Sequence, residues 1–469
     1  MVSPIVYKLT FVASFSGFLF GYDTGYISAV LVSVGTGLGG SELSHKQAEY
    51  ISSATSFGAL IAALFAGMLA DYCGRRSAIM LCDILFVIGA GIQVIATNVS
   101  TMVIGRFIMG LAVGIGSLCA PLYISELAPA QLRGQLVTTN CLAITGGQLI
   151  AYAIGALFTG LHNGWRITIA LSLIPCVAQF ILMNNLPESP RYLISTSQLD
   201  DAAFLFRQIY PQSSDDEIQD IIVEIQESNF IHKPQTTLVA WKSAYVSLFS
   251  DKINLRGLII ACGLQFFQQF VGFNALMYYS STIFNMVGFH NSTAVSCFIA
   301  GTNMIFTIIA MFVIDKVGRR RILLFSIPLL YLSQLAASIA FKFDGKYTLL
   351  ISLISFVAFY AIGLGNVPWQ QSELFPQKVL GAGSSLATAT NWFGSMTVSF
   401  FFLTLVKDIS APITFLLFSF VSAMAFIFVY FTYPELSGLP LEKVQELLSD
   451  GFNVQKSVEI YHGYNSISN

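Results

Sequence analysis

Charged side chains are scarce in this sequence. Only 10% of its 469 residues are Asp, Glu, Lys or Arg, whereas a typical soluble domain contains about 25%. Hydrophobic residues, in contrast, make up 55% of the chain. This composition excludes an ordinary soluble domain, and the net charge of −2 gives no indication of a nucleic-acid partner.

Residues that bind metals, bind nucleotides or perform covalent catalysis are also sparse. The five histidines fall in predicted loops or in the tail, and the seven cysteines do not have the spacing of a metal site. The sequence contains no phosphate-binding P-loop. We therefore expect no enzyme activity, no cofactor and no metal.

What the sequence does contain is a series of twelve long apolar runs. Each is long enough to cross a hydrocarbon layer about 30 Å thick, and in lipid such a run must be helical to satisfy its own backbone. The first run is too long for a signal-peptide core, so we interpret it as a retained helix. The predicted spans are 9–34, 47–70, 78–97, 101–122, 135–159, 165–186, 255–284, 293–314, 321–341, 347–370, 382–405 and 411–433.

The distribution of basic residues predicts the orientation of these spans. An even number of spans places both termini on one side of the membrane. The loops on that side carry the basic clusters at 75–76 and 319–321, whereas the loops on the other side have only scattered Lys and Arg. The positive-inside rule therefore predicts cytoplasmic termini, and we expect a multi-pass protein of the plasma membrane.

Two motifs occur twice. Asp71-Tyr-Cys-Gly-Arg-Arg76 returns 244 residues later as Asp315-Lys-Val-Gly-Arg-Arg320. Pro121-Leu-Tyr-Ile-Ser-Glu-Leu-Ala-Pro129 returns 247 residues later as Pro368-Trp-Gln-Gln-Ser-Glu-Leu-Phe-Pro376. Two unrelated motifs at nearly one offset indicate a duplication of six helices, which is typical of transporters whose substrate site lies near the midplane between the halves.

The predicted fold class is thus an all-α membrane protein of twelve helices in two six-helix halves. The N-terminal half comprises 1–187 and the C-terminal half 253–433. Apolar residues recur at helical spacing in the segment between them, 188–252, which predicts a cytoplasmic linker of amphipathic helices. Residues 434–469 form a cytoplasmic tail.

Acidic and basic residues of the repeated motifs lie at predicted cytoplasmic helix ends. They can pair across helices when the cytoplasmic side is closed and separate when it opens. The alternative is that they serve only membrane topology and local capping. The predicted gating residues are Asp71, Arg75, Arg76, Glu126, Arg133, Asp315, Arg319, Arg320 and Glu373.

Several motifs together give a resemblance to a known family. Gly21-Tyr-Asp-Thr-Gly25, Pro187-Glu-Ser-Pro-Arg191 and Gln268-Gln-Phe-Val-Gly-Phe-Asn274 accompany the two Asp-x-x-Gly-Arg-Arg loops. With these motifs the chain resembles a sugar porter of the major facilitator superfamily from end to end. The fragments 146–152, 367–377 and 434–438 make it most similar to the fungal myo-inositol–proton symporters.

A polyhydroxylated ring needs many hydrogen-bond partners, since an unpaired polar group in a dry cavity costs about 1–3 kcal/mol. Amide side chains suit this task because each offers both donors and acceptors. Gln265, Gln268 and Gln269 share one face of the seventh span. The alternative for such residues is bonding between helices. The resemblance implies that the substrate contacts Gln148, Gln268, Gln269, Asn274, Trp369 and Asn391, with Phe20 and Trp392 as apolar walls.

Two ionisable residues are predicted deep inside spans. Asp23 lies about 21 Å from the cytoplasmic start of the first span, and Arg106 about 8 Å from the outer start of the fourth, so their depths nearly coincide. A buried carboxylate stays ionised beside a guanidinium and takes up a proton when separated from it. The resemblance implies symport, because proton-coupled members have Asp at the position of Asp23 and many facilitators have Asn. The alternative is a fixed structural ion pair.

Three further residues have predicted positions. Tyr278 and Tyr279 are candidates for an outer gate or for an interfacial aromatic belt. Asp83, near the cytoplasmic start of the third span, is predicted to be solvated or to cap a helix.

The predicted function is proton-coupled uptake of myo-inositol by alternating access. The expected partners are therefore a small polyol or sugar, protons and the lipid bilayer. A hexose–proton symporter or a passive polyol or sugar facilitator would use the same residue types, and these alternatives remain open from sequence alone. A non-transporting nutrient receptor is disfavoured by the short tails.

Overall fold

The computed structural model describes residues 3–129, 132–230, 237–343, 345–376, 378–437, 439 and 441–467. Within these ranges the secondary structure is helical, and twelve helices are long and apolar enough to cross a membrane. The predicted twelve-span fold is confirmed. The spanning helices are α1 (Pro4–Ser33), α2 (His45–Cys73), α3 (Arg75–Ile95), α4 (Val99–Leu127), α5 (Gln135–Phe158), α6 (Gly164–Asn184), α7 (Lys252–Met286), α8 (Ser292–Ile314), α9 (Arg319–Lys342), α10 (Lys346–Leu374), α11 (Leu380–Asp408) and α12 (Ala411–Thr432).

Two spanning helices of the C-terminal half are broken near their middle. Helix α7 stops at Phe270 and resumes at Phe273, and the intervening Gly272 has a φ of +85°, a conformation that favours glycine. Helix α10 is α-helical only over Lys346–Ile362 and continues as a 3₁₀ helix over Val367–Leu374. Unwound backbone at membrane depth is tolerated where it lines a cavity, so both breaks point to the substrate region.

The helix-end geometry between α2 and α3 depends on a half-buried carboxylate, that of Glu188. Glu188 accepts hydrogen bonds from the backbone N–H groups of Arg75, at 2.9 Å, and Arg76, at 3.0 Å. The preceding Gly74 has a φ of +90°, and a Cβ there would lie 2.4 Å from Glu188 Oε2. A negative charge at the N-terminus of α3 also complements the helix dipole. Only glycine therefore suits this turn.

The second half repeats this arrangement. Glu435 accepts from the backbone N–H groups of Arg319, at 2.9 Å, and Arg320, at 3.0 Å. Gly318 has a φ of +95°, and a Cβ there would lie 2.5 Å from Glu435 Oε2. Glu435 follows Glu188 by 247 residues, the offset of the two proline motifs. The duplication therefore extends to a pair of acids that the sequence comparison did not match.

Between the halves, the chain forms short helices on the side where both termini lie, here called the terminal side. Trp241, in the last of them, packs against α2 and α11, where a Cβ on Gly67 or Gly381 would approach its ring to 3.1 or 3.9 Å. This linker helix therefore contacts both halves. The helices of the linker and tail are Pro190–Ser195, Leu199–Ile209, Asp215–Phe230, Thr237–Ser250, Leu441–Ser449 and Val454–Ile467.

Candidate substrate cavity and coupling pair

A cavity lies between the halves, and the space in it that protein atoms do not fill is about 660 Å³ when its opening to solvent is included. Helices α1 and α5 line it from the N-terminal half, and α7, α8, α10 and α11 line it from the C-terminal half. Seven of the eight residues predicted to contact or enclose the substrate lie on its wall. They are Phe20, Gln148, Gln268, Gln269, Asn274, Trp369 and Asn391.

Asn391 is the centre of an amide network on the C-terminal wall. Its Nδ2 donates to Gln265 Oε1 at 2.6 Å and to Gln268 Oε1, while its Oδ1 accepts from Gln269 Nε2 at 3.1 Å. Asn274 Nδ2 then donates to Gln269 Oε1 at 2.7 Å. These amides orient one another, as buried polar groups require.

The broken backbone of α10 anchors this network. Gln268 Nε2 donates to the carbonyl of Leu364 at 3.0 Å and to that of Gly365 at 3.1 Å. Gln265 Nε2 donates to the carbonyl of Pro368 at 3.2 Å and to Gln371 Oε1 at 3.0 Å. The α10 break thus supplies acceptors that an unbroken helix would use internally.

The N-terminal wall contributes a second amide contact, which joins the halves. Asn303 Nδ2 of α8 donates to Gln148 Oε1 of α5 at 3.0 Å, and Gln148 Nε2 donates to Thr24 Oγ1 of α1 at 3.3 Å. Asn303 and Thr24 line the cavity but were not among the predicted site residues. An amide inside the eighth span was the available signal for Asn303.

The apolar part of the wall differs in one respect from the prediction. Trp392 lies behind Phe20, with the rings edge to face at 5.3 Å between centroids, and its Nε1 donates to Ser117 Oγ at 3.4 Å. Trp392 therefore does not line the cavity itself but packs behind Phe20, which does. Phe273 and Tyr360, which the sequence analysis did not select, stack at 3.8 Å and line the cavity.

Asp23 and Arg106 meet in a fully buried ion pair between α1 and α4. Arg106 Nε also donates to the carbonyl of Ile51 on α2, at 3.2 Å. Close packing makes this contact possible, since a Cβ on Gly110 would lie 2.1 Å from the carbonyl oxygen of Thr55. Small residues at such crossings are typical of membrane helices. The predicted proximity of Asp23 and Arg106 is therefore present in the structure, and their role in proton coupling stays a prediction.

The position of Asp23 links the ion pair to the cavity. Its neighbours along one face of α1, Phe20 and Thr24, line the cavity, whereas Asp23 points to α4. Any movement of α1 that alters the cavity wall also alters the distance between Asp23 and Arg106.

Hydrogen bonds close the gap between the halves on the side opposite the termini. Ser28 of α1 donates to Ser281 Oγ of α7 at 3.0 Å, and the Ser281 backbone N–H donates to Ser28 Oγ at 3.0 Å. Tyr152 of α5 donates to the carbonyl of Met277. These contacts lie between the cavity and the end of α7 at Met286, so they seal that side.

A charged group completes the same seal. The buried carboxylate of Glu49 on α2 accepts from the backbone N–H of Thr404 on α11 at 2.6 Å and from its hydroxyl at 2.8 Å. Lys46 Nζ lies 3.1 Å from Glu49 Oε2, the oxygen that also accepts from the Thr404 hydroxyl, and it donates to Thr404 Oγ1 at 2.7 Å. Glu49, Lys46 and Thr404 are called the outer clamp below.

On the terminal side, the predicted gating residues form ion pairs within each half. Arg75 pairs with Asp71 and with Glu126, both at 3.1 Å, and Arg319 pairs with Glu373. The structure is therefore sealed opposite the termini, and on the terminal side these charged residues pair across helices within each half. Their role in gating stays a prediction.

The other gating residues have different surroundings. Arg76 donates to the carbonyl of Asn184 at 2.8 Å, and Arg320 donates to the carbonyl of Tyr433 at 2.6 Å. Each caps the end of a helix within its own half. The side chains of Arg133 and Asp315 lie outside the part of the chain that the structure describes.

The structure corrects the interpretation of Asp83 and decides between the alternatives for the tyrosines. Asp83 is buried, with the Cys176 thiol donating to its backbone carbonyl at 3.3 Å, so it is not a solvated residue. Tyr278 and Tyr279 are also fully buried, and Tyr279 donates to the carbonyl of Ser399 on α11 at 2.8 Å. The Tyr278 hydroxyl faces Ser56 and the Tyr279 hydroxyl faces Ser52, both on α2 of the N-terminal half, so the tyrosines lie between the halves rather than in an interfacial belt.

A twelve-helix protein with a polar cavity between two similar halves has the architecture of a secondary transporter. Comparison with known proteins specifies the family: residues 9–448 match the family described as sugar (and other) transporter. The chain belongs to this sugar transporter family of the major facilitator superfamily.

Its relatives match over almost the whole chain. Myo-inositol transporter 1 of Saccharomyces cerevisiae is 48% identical over 475 residues, covering 97% of this chain and 81% of that protein. Myo-inositol transporter 2 of Schizosaccharomyces pombe is 42% identical over 463 residues, covering 96% of this chain and 83% of that protein.

Solved structures agree with the fold. The proton:xylose symporter XylE bound to 6-bromo-6-deoxy-D-glucose superimposes with a TM-score of 0.80 at 26% identity, covering 94% of this chain and 99% of that one. The inward-open conformation of XylE from E. coli gives a TM-score of 0.78 at 26% identity, with the same coverage of both chains.

Proposed function

We propose that this protein carries myo-inositol into the cell together with protons, by alternating access. The buried Asp23–Arg106 ion pair is the observation that carries the proton coupling. The substrate class rests on the relatives that are named myo-inositol transporters, at 40–48% identity over 96–98% of this chain, and on the amide-rich cavity.

The cavity chemistry fits an uncharged polyol. Its polar lining consists mostly of amides and hydroxyls, which offer donors and acceptors without a net charge. Phe20, Phe273, Tyr360 and Trp369 add aromatic faces, against which the C–H face of a cyclitol ring can pack. A charged substrate would lack a counter-ion among the described residues that line the cavity.

Proton coupling follows from the burial of the ion pair. Asp23 Oδ1 receives the Arg106 hydrogen bond, while Oδ2 has no hydrogen-bond partner among the described residues. Oδ2 is therefore the atom that can receive a proton without losing an existing bond. Protonation removes the Coulomb attraction to Arg106, so α1 and α4 separate at lower cost, and α1 also forms part of the cavity wall.

We further propose that the chain divides into two halves, 1–187 and 253–433, with a linker at 188–252 and a tail at 434–469. We also propose that the protein resides in the plasma membrane and that its terminal side is cytoplasmic. The Lys and Arg clusters on the terminal side support this orientation. The outer clamp then faces the outside of the cell.

Accumulation in proteoliposomes tests the proposed function. With the outside acidic and the lumen neutral, labelled myo-inositol is expected to accumulate above its external concentration, and an uncoupler should abolish the accumulation. Unlabelled glucose in excess should compete weakly. Equal uptake with and without the pH gradient would contradict symport, and strong competition by glucose would contradict myo-inositol as the preferred substrate.

The outer clamp predicts a separate effect. Glu49→Gln keeps the shape of the side chain but removes the charge from its bonds to Thr404 and Lys46, and charge-assisted bonds are about twice as strong as neutral ones. We expect the outward-open state to gain population by about tenfold. Cys141 lines the cavity, so its labelling from outside by an impermeant thiol reagent, with the other cysteines replaced, measures this shift.

The matched control for the clamp is Glu42→Gln, which changes an exposed acid in the neighbouring loop. It should leave the labelling rate of Cys141 unchanged. If Glu49→Gln labels no faster than Glu42→Gln, the clamp does not hold the outer side closed.

A further inference from the structure

Arg106 has a second partner on α1 besides Asp23. Its Nη1 also donates to Tyr26 Oη at 3.2 Å, and its guanidinium carbon lies 5.7 Å from the centre of the Tyr26 ring. Asp23 and Tyr26 are three residues apart and therefore share a face of the helix. The carboxylate of Asp23 and the phenol of Tyr26, both on α1, therefore contact the same guanidinium of Arg106.

Gln93 of α3 fixes the direction of the Tyr26 hydroxyl. Tyr26 Oη donates to Gln93 Oε1 at 2.9 Å, and Gln93 Nε2 donates to the carbonyl of Gly89 at 3.2 Å. Gln93 Oε1 is a nearer and stronger acceptor for the phenol hydrogen than Met109 Sδ, which lies at 3.3 Å, so the lone pairs of the phenol oxygen are left to accept from Arg106. Tyr26 and Gln93 are both fully buried, so water does not compete for these bonds.

Gln93 is itself held in place by close helix packing. A Cβ on Gly105 would lie 2.7 Å from Gln93 Cγ, and one on Gly89 would lie 2.7 Å from the backbone nitrogen of Met109. These contacts lock the amide at the crossing of α3 and α4. The hydrogen-bonded series from Gly89 through Gln93 and Tyr26 to Arg106 is therefore rigidly anchored.

This series matters when Asp23 is neutral. An unpaired buried cation is strongly unfavourable, and protonation of Asp23 removes the anionic partner of Arg106. The carbonyl of Ile51, the Tyr26 oxygen and the face of its ring then remain as partners. A phenol held by Gln93 offers this support whether or not the neighbouring carboxylate carries a proton.

We propose that Tyr26, oriented by Gln93, is a positioning residue that stabilises the Arg106 guanidinium while Asp23 is protonated, and that it thereby sets the pH range of transport. This inference rests on the proposed proton-coupled function. The titratable groups that face the site are Asp23 and Tyr26 on α1, Arg106 on α4, and Tyr278 and Tyr279 on α7. Helices α2 and α3 contribute Ile51 and Gln93, which do not titrate.

The test is the dependence of myo-inositol uptake on external pH in Tyr26→Phe, which removes one oxygen and keeps the ring. Without this acceptor, protonation of Asp23 leaves Arg106 with fewer partners, so the pH of half-maximal uptake should fall by about one unit. Gln93→Met, which frees the phenol to rotate, should shift it in the same direction by a smaller amount. A purely structural role would lower the maximal rate without moving this pH.

Tyr22→Phe is the matched control, because Tyr22 is a buried tyrosine of the same helix that donates to the carbonyl of Thr168 at 2.8 Å. Its pH profile should equal that of the wild type. If wild-type uptake responds to pH and both Tyr26→Phe and Gln93→Met keep the wild-type midpoint, this inference is overturned while symport stands. If wild-type uptake is indifferent to pH, symport itself is wrong, and the inference fails with it.

Discussion

Asp23→Asn is expected to abolish the accumulation of myo-inositol against its gradient while leaving exchange across the membrane in place. Asparagine has the shape of the acid but cannot gain or lose the proton, so the carrier can still alternate without coupling. The expected loss is from many-fold accumulation to simple equilibration. Uptake driven by an imposed pH gradient and exchange of labelled for unlabelled myo-inositol, measured in the same vesicles, separate the two steps.

Asp83→Asn is the matched control for this variant. Asp83 is also a buried carboxyl of the N-terminal half, but it packs near Cys176 rather than Arg106. Accumulation should persist in Asp83→Asn. If Asp23→Asn accumulates myo-inositol as the wild type does, the ion pair is structural and the proton enters elsewhere.

Asn391→Leu is expected to have the second-largest effect, on substrate binding. Asn391 holds Gln265, Gln268 and Gln269 in their present orientations, so leucine removes one hydrogen-bonding group and disorders three others. A loss of about 2 kcal/mol, the cost of an unsatisfied buried group, raises KM about 30-fold. Saturation of myo-inositol exchange over a wide concentration range measures this change.

Thr390→Val provides the comparison on the same helix. The Thr390 hydroxyl donates to the carbonyl of Leu386 within α11, at 2.9 Å, and Thr390 is not among the cavity-lining residues. Its KM should stay within twofold of the wild-type value. An equally small change in Asn391→Leu would mean that the amide network serves helix packing and not the substrate.

The spanning helices were predictable from the sequence because each apolar run is long and lipid allows only one backbone solution. The same holds for the depth of Asp23 and Arg106, since helical rise converts sequence position into depth. The breaks in α7 and α10 were harder to locate. Glycine and proline, here Gly365 and Pro368, permit a bend, yet the identity of the backbone carbonyls that the break exposes depends on tertiary structure.

Most of the site residues that could not be predicted from the sequence lie outside recognisable motifs. Asn303 and Tyr26 are single polar residues inside apolar spans, and nothing local indicates which neighbour each will meet. Trp392 was placed in the wall by the family resemblance, but the direction of its side chain depends on the rotation of α11 against α4. Asp83 was predicted to be solvated because it lies near the start of its span, but neighbouring helices bury it. Its position along the span did not reveal these neighbours.

Proton movement driven by the solute itself tests the central claim most directly. Proteoliposomes with no pH gradient and a pH-sensitive dye in the lumen are mixed with myo-inositol on the outside. The Asp23–Arg106 coupling predicts that the lumen acidifies as the solute enters, and that Asp23→Asn vesicles do not acidify. Entry of labelled myo-inositol into wild-type vesicles at constant luminal pH would contradict it.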